Sequence, residues 1–171
     1  MAKNTKAEGK RGSEQYEVKK FVESVRPFLK KLDARLSIET QKNLWYTNYR
    51  RFIDRQEDKQ MSYAVDILVS ENNIPRVAVE CKIKTYSTHD VITYSEKSGK
   101  HKTVYPHLRY GFLLLNSEWK KFTRRYFEHA NHFDFKELFF KNIEKEQLKA
   151  FAQKIVEQSE ASREIEKEFF N

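Results

Sequence analysis

The chain reads as an α/β protein, a central β-sheet flanked by helices and followed by a long C-terminal helix. Three observations predict this. Tyr16, Val18, Phe21, Val22, Val25, Phe28, Leu29 and Leu32 recur at helical spacing. Tyr63–Val69 and Val77–Ile83 are β-branched, apolar runs that read as strands. Between Glu144 and Phe170 helical spacing returns, with Leu148, Phe151, Ala152, Ile155 and Val156 on the inner side.

Taken in order, Ser13 is placed to cap a helix beginning near Glu14. Pro27 is placed to kink that helix or split it. Leu36–Thr40 and Asn43–Tyr49 fit strand or loop equally. Ser70–Pro75 is turn-rich and reads as a hairpin loop. Thr88–Lys97 reads as a short helix and Ser98–Lys102 as a basic loop. Tyr110–Leu115, a short continuous apolar run, suits a buried central strand. Thr123–Asn131 reads as a further helix. Residues 1–12 lack an apolar signal core and read as a disordered basic tail, which leaves residues 13–171 as a single domain.

Composition narrows the partners. A formal charge of +8 favours a polyanion, nucleic acid before a membrane surface. No run of about 18 apolar residues is present, so no membrane span is expected. Cys81 is the only cysteine, so no intrachain disulfide forms and a reducing cytoplasm is the expected compartment. It falls on the core face of its strand and reads as a small buried hydrophobe. Glycine-rich phosphate loops and a serine nucleophile elbow are missing. His129 and His132 have no cysteines or partner motif nearby to complete a zinc set.

Asp66, Glu80 and Lys82 stand out against this background. They lie inside the two apolar strands, where unpaired charge is costly. Strand alternation puts Val65, Ile67 and Val69 on one face and Asp66 and Leu68 on the other. In the second strand Val77, Val79, Cys81 and Ile83 share a face, and Ala78, Glu80 and Lys82 take the opposite one. If Ser70 pairs with Arg76 across a five-residue loop, Asp66 sits opposite Glu80. Carboxylates that close repel each other unless a cation lies between them. Mg²⁺ takes such oxygen ligands, with water and substrate phosphate completing its shell. The bland alternative is a salt-bridged, solvent-facing hairpin side. Glu-x-Lys also occurs at Glu17-Val-Lys19 and Glu57-Asp-Lys59, but not in an apolar β-branched run with an aspartate one hairpin upstream.

Asp66, thirteen intervening residues, then Glu80-Cys81-Lys82 resembles the motif of the PD-(D/E)XK nuclease superfamily. Val65 stands where the motif names a proline. The resemblance covers roughly residues 14–117 and implies a restriction-endonuclease-like core with a central mixed β-sheet. It implies a Mg²⁺-dependent (or Mn²⁺-dependent) DNA endonuclease, most simply a small restriction-type enzyme acting as a homodimer if it cuts both strands. A Holliday-junction or repair nuclease, or a non-catalytic DNA-binding module, are the alternatives. Asp66, Glu80 and the backbone carbonyl of Cys81 become the metal ligands, and Lys82 the catalytic lysine. Glu14 or Glu17, near the start of the first helix, is a candidate for a further acidic ligand.

DNA contacts are expected from several clusters. Trp45, Tyr46, Tyr49, Arg50, Arg51 and Arg55 interleave aromatics with arginines. Lys84, Tyr86, Ser87, Thr88 and His89 follow the catalytic strand and are expected at the mouth of the site. Lys97, Lys100 and Lys102 lie on the expected basic loop. Lys120, Lys121, Arg124 and Arg125 form a fourth cluster.

Overall fold

The computed structural model describes residues 13–48 and 60–170. Nine elements follow one another. They are α1 (Glu14–Leu32), β1 (Leu36–Asn48), β2 (Gln60–Glu71), β3 (Ile74–Ile83), α2 (Thr88–Val104), β4 (Arg109–Leu115), α3 (Arg124–His129), β5 (Phe135–Leu138) and α4 (Lys145–Phe170). The sheet has five strands in the order β1-β2-β3-β4-β5. The first three pair antiparallel, whereas β3/β4 and β4/β5 are parallel, so the sheet is mixed.

Helices α1 and α4 cover one face. Val18, Phe21, Val22, Val25 and Leu29 of α1 and Phe151, Ala152 and Ile155 of α4 pack on Ile67, Val69, Val77, Val79, Cys81, Leu113 and Leu115. Helices α2 and α3 cover the other face, over Ala78, Tyr110, Phe112 and Leu114. The Ser13 hydroxyl accepts from Tyr16 N at 3.3 Å and caps α1 as expected. Pro27 neither splits nor ends α1. The buried stripe on both sides of it holds the helix together where one backbone bond is lost.

Several boundaries differ from the sequence reading. Leu36–Thr40 and Asn43–Asn48 are one strand. The hairpin loop has two residues, not five. Asn72 and Asn73 have φ of 49° and 66°, the left-handed pair that a tight hairpin requires. Arg76 is then an extra residue in β3, because Ser70 pairs with Pro75 and Val69 with Val77. That bulge also accommodates Pro75 in an interior strand. Beyond it the register is the expected one. Val65 departs from simple alternation and packs with Leu44, Leu68 and Ala78 rather than with Ile67. Ser98–Lys102 is helical, so the expected basic loop is the last part of α2. Ser98 is fully buried and donates to the His132 carbonyl at 2.9 Å, while Gly99 lets the His132 ring approach. Residues 1–12, read as a basic tail, lie outside the described residues.

Strand β5 was not expected. Its four residues carry two charges, and parallel pairing with β4 holds it. Gly111 pairs with Phe135, whose ring occupies the space a β-carbon would need. Gly111→Ala should therefore cost about 1–3 kcal/mol, the scale of overpacking in a filled core. A thermal melt checks this, and an unchanged Tm would show that the ring moves freely.

Candidate active site

Strand β3 positions the site from the middle of the sheet. Glu80 pairs with Phe112 and Lys82 with Leu114 on β4, so both side chains face the α2 layer. The β2/β3 ladder reaches Ile67 and Val79, one step before Asp66 and Glu80. Asp66 therefore stands where the two strands part. Its Oδ2 accepts from the Cys81 N–H at 2.8 Å, and its Oδ1 from Gln41 Nε2 at 2.8 Å. Gln41 has a φ of 53°, an irregularity in β1 at the level of Asp66.

Glu80 is 1% exposed. Its Oε1 accepts from the Tyr110 hydroxyl at 2.7 Å and pairs with Lys97 Nζ at 2.7 Å. Burial raises its pKa to about 7. The Lys97 charge opposes this and the Asp66 charge adds to it. Lys97 also donates to the Ala64 carbonyl and lies near the Tyr63 and Tyr94 rings.

A buried chain of polar groups leads away from Glu80. Tyr110 Oη lies 3.2 Å from His101 Nδ1, and His101 Nε2 lies 3.2 Å from the Leu44 carbonyl. The Tyr110 hydroxyl hydrogen is committed to Glu80, so a neutral His101 donates its one N–H either through Nδ1 to the Tyr110 oxygen or through Nε2 to the Leu44 carbonyl. His101 stays neutral because burial, then the Lys97 charge, hold its pKa down to about 4.

Lys82 is placed by two helix starts. Its Nζ lies 3.5 Å from Glu14 Oε2 in the first turn of α1 and 3.4 Å from Asp90 Oδ1 in the first turn of α2. Asp90 is itself fixed by a capping box. Its N–H donates to the Ser87 hydroxyl at 3.1 Å, and its Oδ2 accepts from Ser87 N at 2.7 Å. Burial opposes the Lys82 charge, but Tyr94, Glu14 and Asp90 outweigh it and raise its pKa. Lys82 is therefore a fixed ammonium at neutral pH. Burial raises the Glu14 pKa, with the Asp66 charge adding to it and Lys82 opposing. Glu17 goes elsewhere. It accepts from Asn116 Nδ2 at 3.3 Å and lines a hollow of about 380 Å³ with Lys20 and Lys141.

Asp90, Tyr94, Lys97 and His101 are spaced 4, 3 and 4 residues apart, so one stripe of α2 carries four polar groups onto the sheet. A helix ending at Lys97, as the sequence suggests, would leave His101 off this stripe. Lys97 sits in the site, where a backbone-clasping loop residue was expected.

The expected DNA contacts divide. Tyr49, Arg50, Arg51 and Arg55 lie outside the described residues. Tyr86 is buried among Phe112, Trp119, Phe122 and Tyr126, and its hydroxyl accepts from Thr123 N at 3.0 Å. Its ring is core, not a surface for a base. Ser87 is the α2 cap. Lys84 has turned off the strand at φ 69° and is exposed near Glu118. His89 is exposed on the first turn of α2. Together with Thr88, Trp119, Arg124 and Arg125 it borders a hollow of about 630 Å³. Lys100 lies near the Tyr46 and Tyr63 rings, which stack at 4.1 Å. Lys102 is turned to Asp134, at 2.8 Å. The Cys81 thiol packs in the α1/α4 layer, where burial pushes its pKa well up, so it is no nucleophile.

Among the described residues, no three His, Cys, Asp or Glu side chains are grouped closely enough to hold a metal by themselves. Mg²⁺ does not require that, since one or two carboxylates with water and phosphate suffice. Asp66 and Glu80 fit that donor set. The charge on Asp66 raises the pKa of Glu80, a repulsion that a divalent cation relieves. No helix among the described residues is long and apolar enough to cross a membrane. No family model matches the chain, and no curated protein matches it.

The shifted groups predict a pH dependence of stability. Glu80 titrates near 7 when folded and near 4.5 when unfolded, so the folded protein binds more protons between those values. Its contribution is full below pH 4.5 and is lost as pH rises to 7, by up to about 3 kcal/mol. His101 acts oppositely, with its contribution present above pH 6.5 and lost toward pH 4. Glu80→Gln removes only the first slope. The Tm of the wild type minus that of the variant should fall between pH 4.5 and 7 and then level off. A constant difference would mean that Glu80 titrates normally.

Proposed function

We propose that this chain is a Mg²⁺-dependent deoxyribonuclease of the PD-(D/E)XK type, hydrolysing phosphodiester bonds in DNA. The observation that carries the reading is Glu80, a buried carboxylate beside Asp66 and Lys82 where β2 and β3 part. An ordinary solvent-facing hairpin would not bury a carboxylate there, nor surround it with Lys97, Tyr110 and His101. The mixed sheet with helices on both faces suits the same reading.

Asp66, Glu80 and the Cys81 carbonyl would hold the metal, with Glu14 the nearer of the two α1 acids. A bound Mg²⁺ or Mn²⁺ would polarise the phosphodiester and make bound water more acidic. The chain's own residues supply the rest. Lys82, held by Glu14 and Asp90, carries a fixed positive charge toward the charge that develops on the phosphoryl oxygens. Glu80 must release its proton before it can act as a ligand, which ties activity to pH near 7. Tyr110 and Lys97 hold its carboxylate in place while it does so.

The deciding experiment incubates the protein with supercoiled plasmid, with and without Mg²⁺. Metal-dependent nicking or linearisation is expected. Retardation on a gel without cleavage would overturn the enzymatic reading in favour of a DNA-binding module.

A further inference from the structure

We infer that the outer edge of the sheet, beyond β5 and α3, is a seat for an unpaired nucleic-acid strand leading away from the cleavage site. The inference rests on the nuclease reading and adds a substrate class to it. A hollow of about 500 Å³ lies there, bordered by Phe127, Phe140, Leu138 and the lysines Lys120, Lys121 and Lys136. Phe127 is 59% and Phe140 48% exposed, among the largest apolar exposures of the described residues. The hollow combines open rings with cations.

Among the described residues, Lys120, Lys121 and Lys136 have no carboxylate partner. Glu137 also borders the hollow, but its carboxylate pairs with Lys154 of α4 at 2.9 Å. The Lys136 ammonium stands over the Phe127 ring, 4.5 Å from its centre. Ammonium groups beside exposed rings match an unpaired strand, whose phosphates seek cations while its bases stack on aromatic faces. A duplex keeps its bases stacked inside and would leave both rings without a partner.

The sheet register links the seat to the site. Lys82 pairs with Leu114, and Leu114 with Leu138. Glu80, Phe112 and Lys136 form the parallel row beside it. Two strand spacings separate Leu138 from Lys82, about 10 Å. The row between them is buried beneath α2 and α3, so a strand leaving Lys82 would run over that layer to the hollow, and the expected substrate carries an overhang, a flap or a frayed end.

The test compares binding of a blunt duplex and of the same duplex with an oligothymidylate overhang, by fluorescence anisotropy in Ca²⁺. The overhang should tighten binding by the wild type, and Phe127→Ala with Phe140→Ala should weaken that complex by about 10-fold or more. Affinity for the blunt duplex should stay the same. Both rings are exposed, so the variant should melt like the wild type. Lys136→Gln should reduce the salt slope on the overhang substrate by about 0.7. An oligouridylate overhang reads out whether the seat takes DNA alone or either strand chemistry; both results support it. Equal loss on both substrates, no loss on either, or a change of oligomeric state in sedimentation would overturn the seat. Plasmid cleavage with Mg²⁺ separates the two ideas. Cleavage without overhang selectivity leaves the nuclease reading and removes the seat; selectivity without cleavage does the reverse.

Discussion

Lys82→Ala should slow single-turnover DNA cleavage at saturating DNA by at least about 100-fold, with little change in affinity measured in Ca²⁺. The scale is that of removing one donor that acts on transition-state charge. Lys82 is suited to that role because it is held, not mobile. Glu14 approaches from α1 and Asp90 from α2, and the Ser87 capping box fixes Asp90 in turn. Two helix starts thus place one ammonium, so little reorganisation is needed when charge develops. One cation among many contributes little to holding a polyanion, which is why binding should survive. Lys84→Ala is the control. Lys84 sits two residues later in a left-handed conformation near Glu118, off the face that carries Glu80 and Lys82. Its loss should affect binding more than rate. A Lys82 variant with normal rate and weakened binding would make the residue a phosphate clamp and leave two acids as the catalytic set.

Asp90→Asn separates placement from charge. The capping contacts of Asp90 survive in part, while its pull on Lys82 weakens. A rate loss between those of the wild type and Lys82→Ala, with unchanged melting, is the expected result. Equal rates would mean that Glu14 alone positions the lysine.

The two strands of the site were legible because their apolar, β-branched runs were interrupted by charges in a fixed pattern. Alternation put Glu80 and Lys82 on one face and Cys81 on the other, and the structure agrees. The expected hairpin turn is too long, yet the register came out the same as far as Ile67 and Val79, one step before Asp66 and Glu80. The Arg76 bulge adds the residue that the shorter turn removes. Lys97, Tyr110 and His101 were not legible. They come from elements remote in sequence from Glu80, and only the sheet and α2 bring them together. The 4, 3, 4 spacing of polar residues on α2 was visible, but Gly99 and the lysines around it resembled a loop. What kept that segment helical was burial of Ser98 and close packing on His132, which are tertiary facts. Strand β5 was hidden for the same reason: four mixed residues have no pattern, and the glycine that accepts Phe135 lies on another strand.

Asp66→Asn and Glu80→Gln should each lower Mg²⁺-dependent cleavage by at least about 1000-fold while leaving DNA binding in Ca²⁺ largely intact. Several kcal/mol of transition-state stabilisation depend on a correctly held metal, and each change removes an anionic ligand without changing side-chain shape. The amides are preferred to alanine on structural grounds. Asp66→Ala would orphan the Cys81 N–H, a buried donor, at a cost of about 1–3 kcal/mol. Glu80→Ala would leave Lys97 without its partner inside the site. Direct titration of Mn²⁺ should show weakened binding for both amide variants, a readout independent of turnover. Full cleavage by both would remove the site assignment. Lys97→Met completes the test. Without the Lys97 charge, burial and Asp66 act on Glu80 with less opposition, so its pKa rises beyond the value of about 7. The variant should then lose cleavage near neutral pH and regain much of it as pH is raised, because Glu80 can still ionise. Asp66→Asn and Glu80→Gln should show no such recovery. A Lys97 variant that is equally impaired at every pH would show that its ammonium acts on DNA or on the reacting phosphate and not through Glu80.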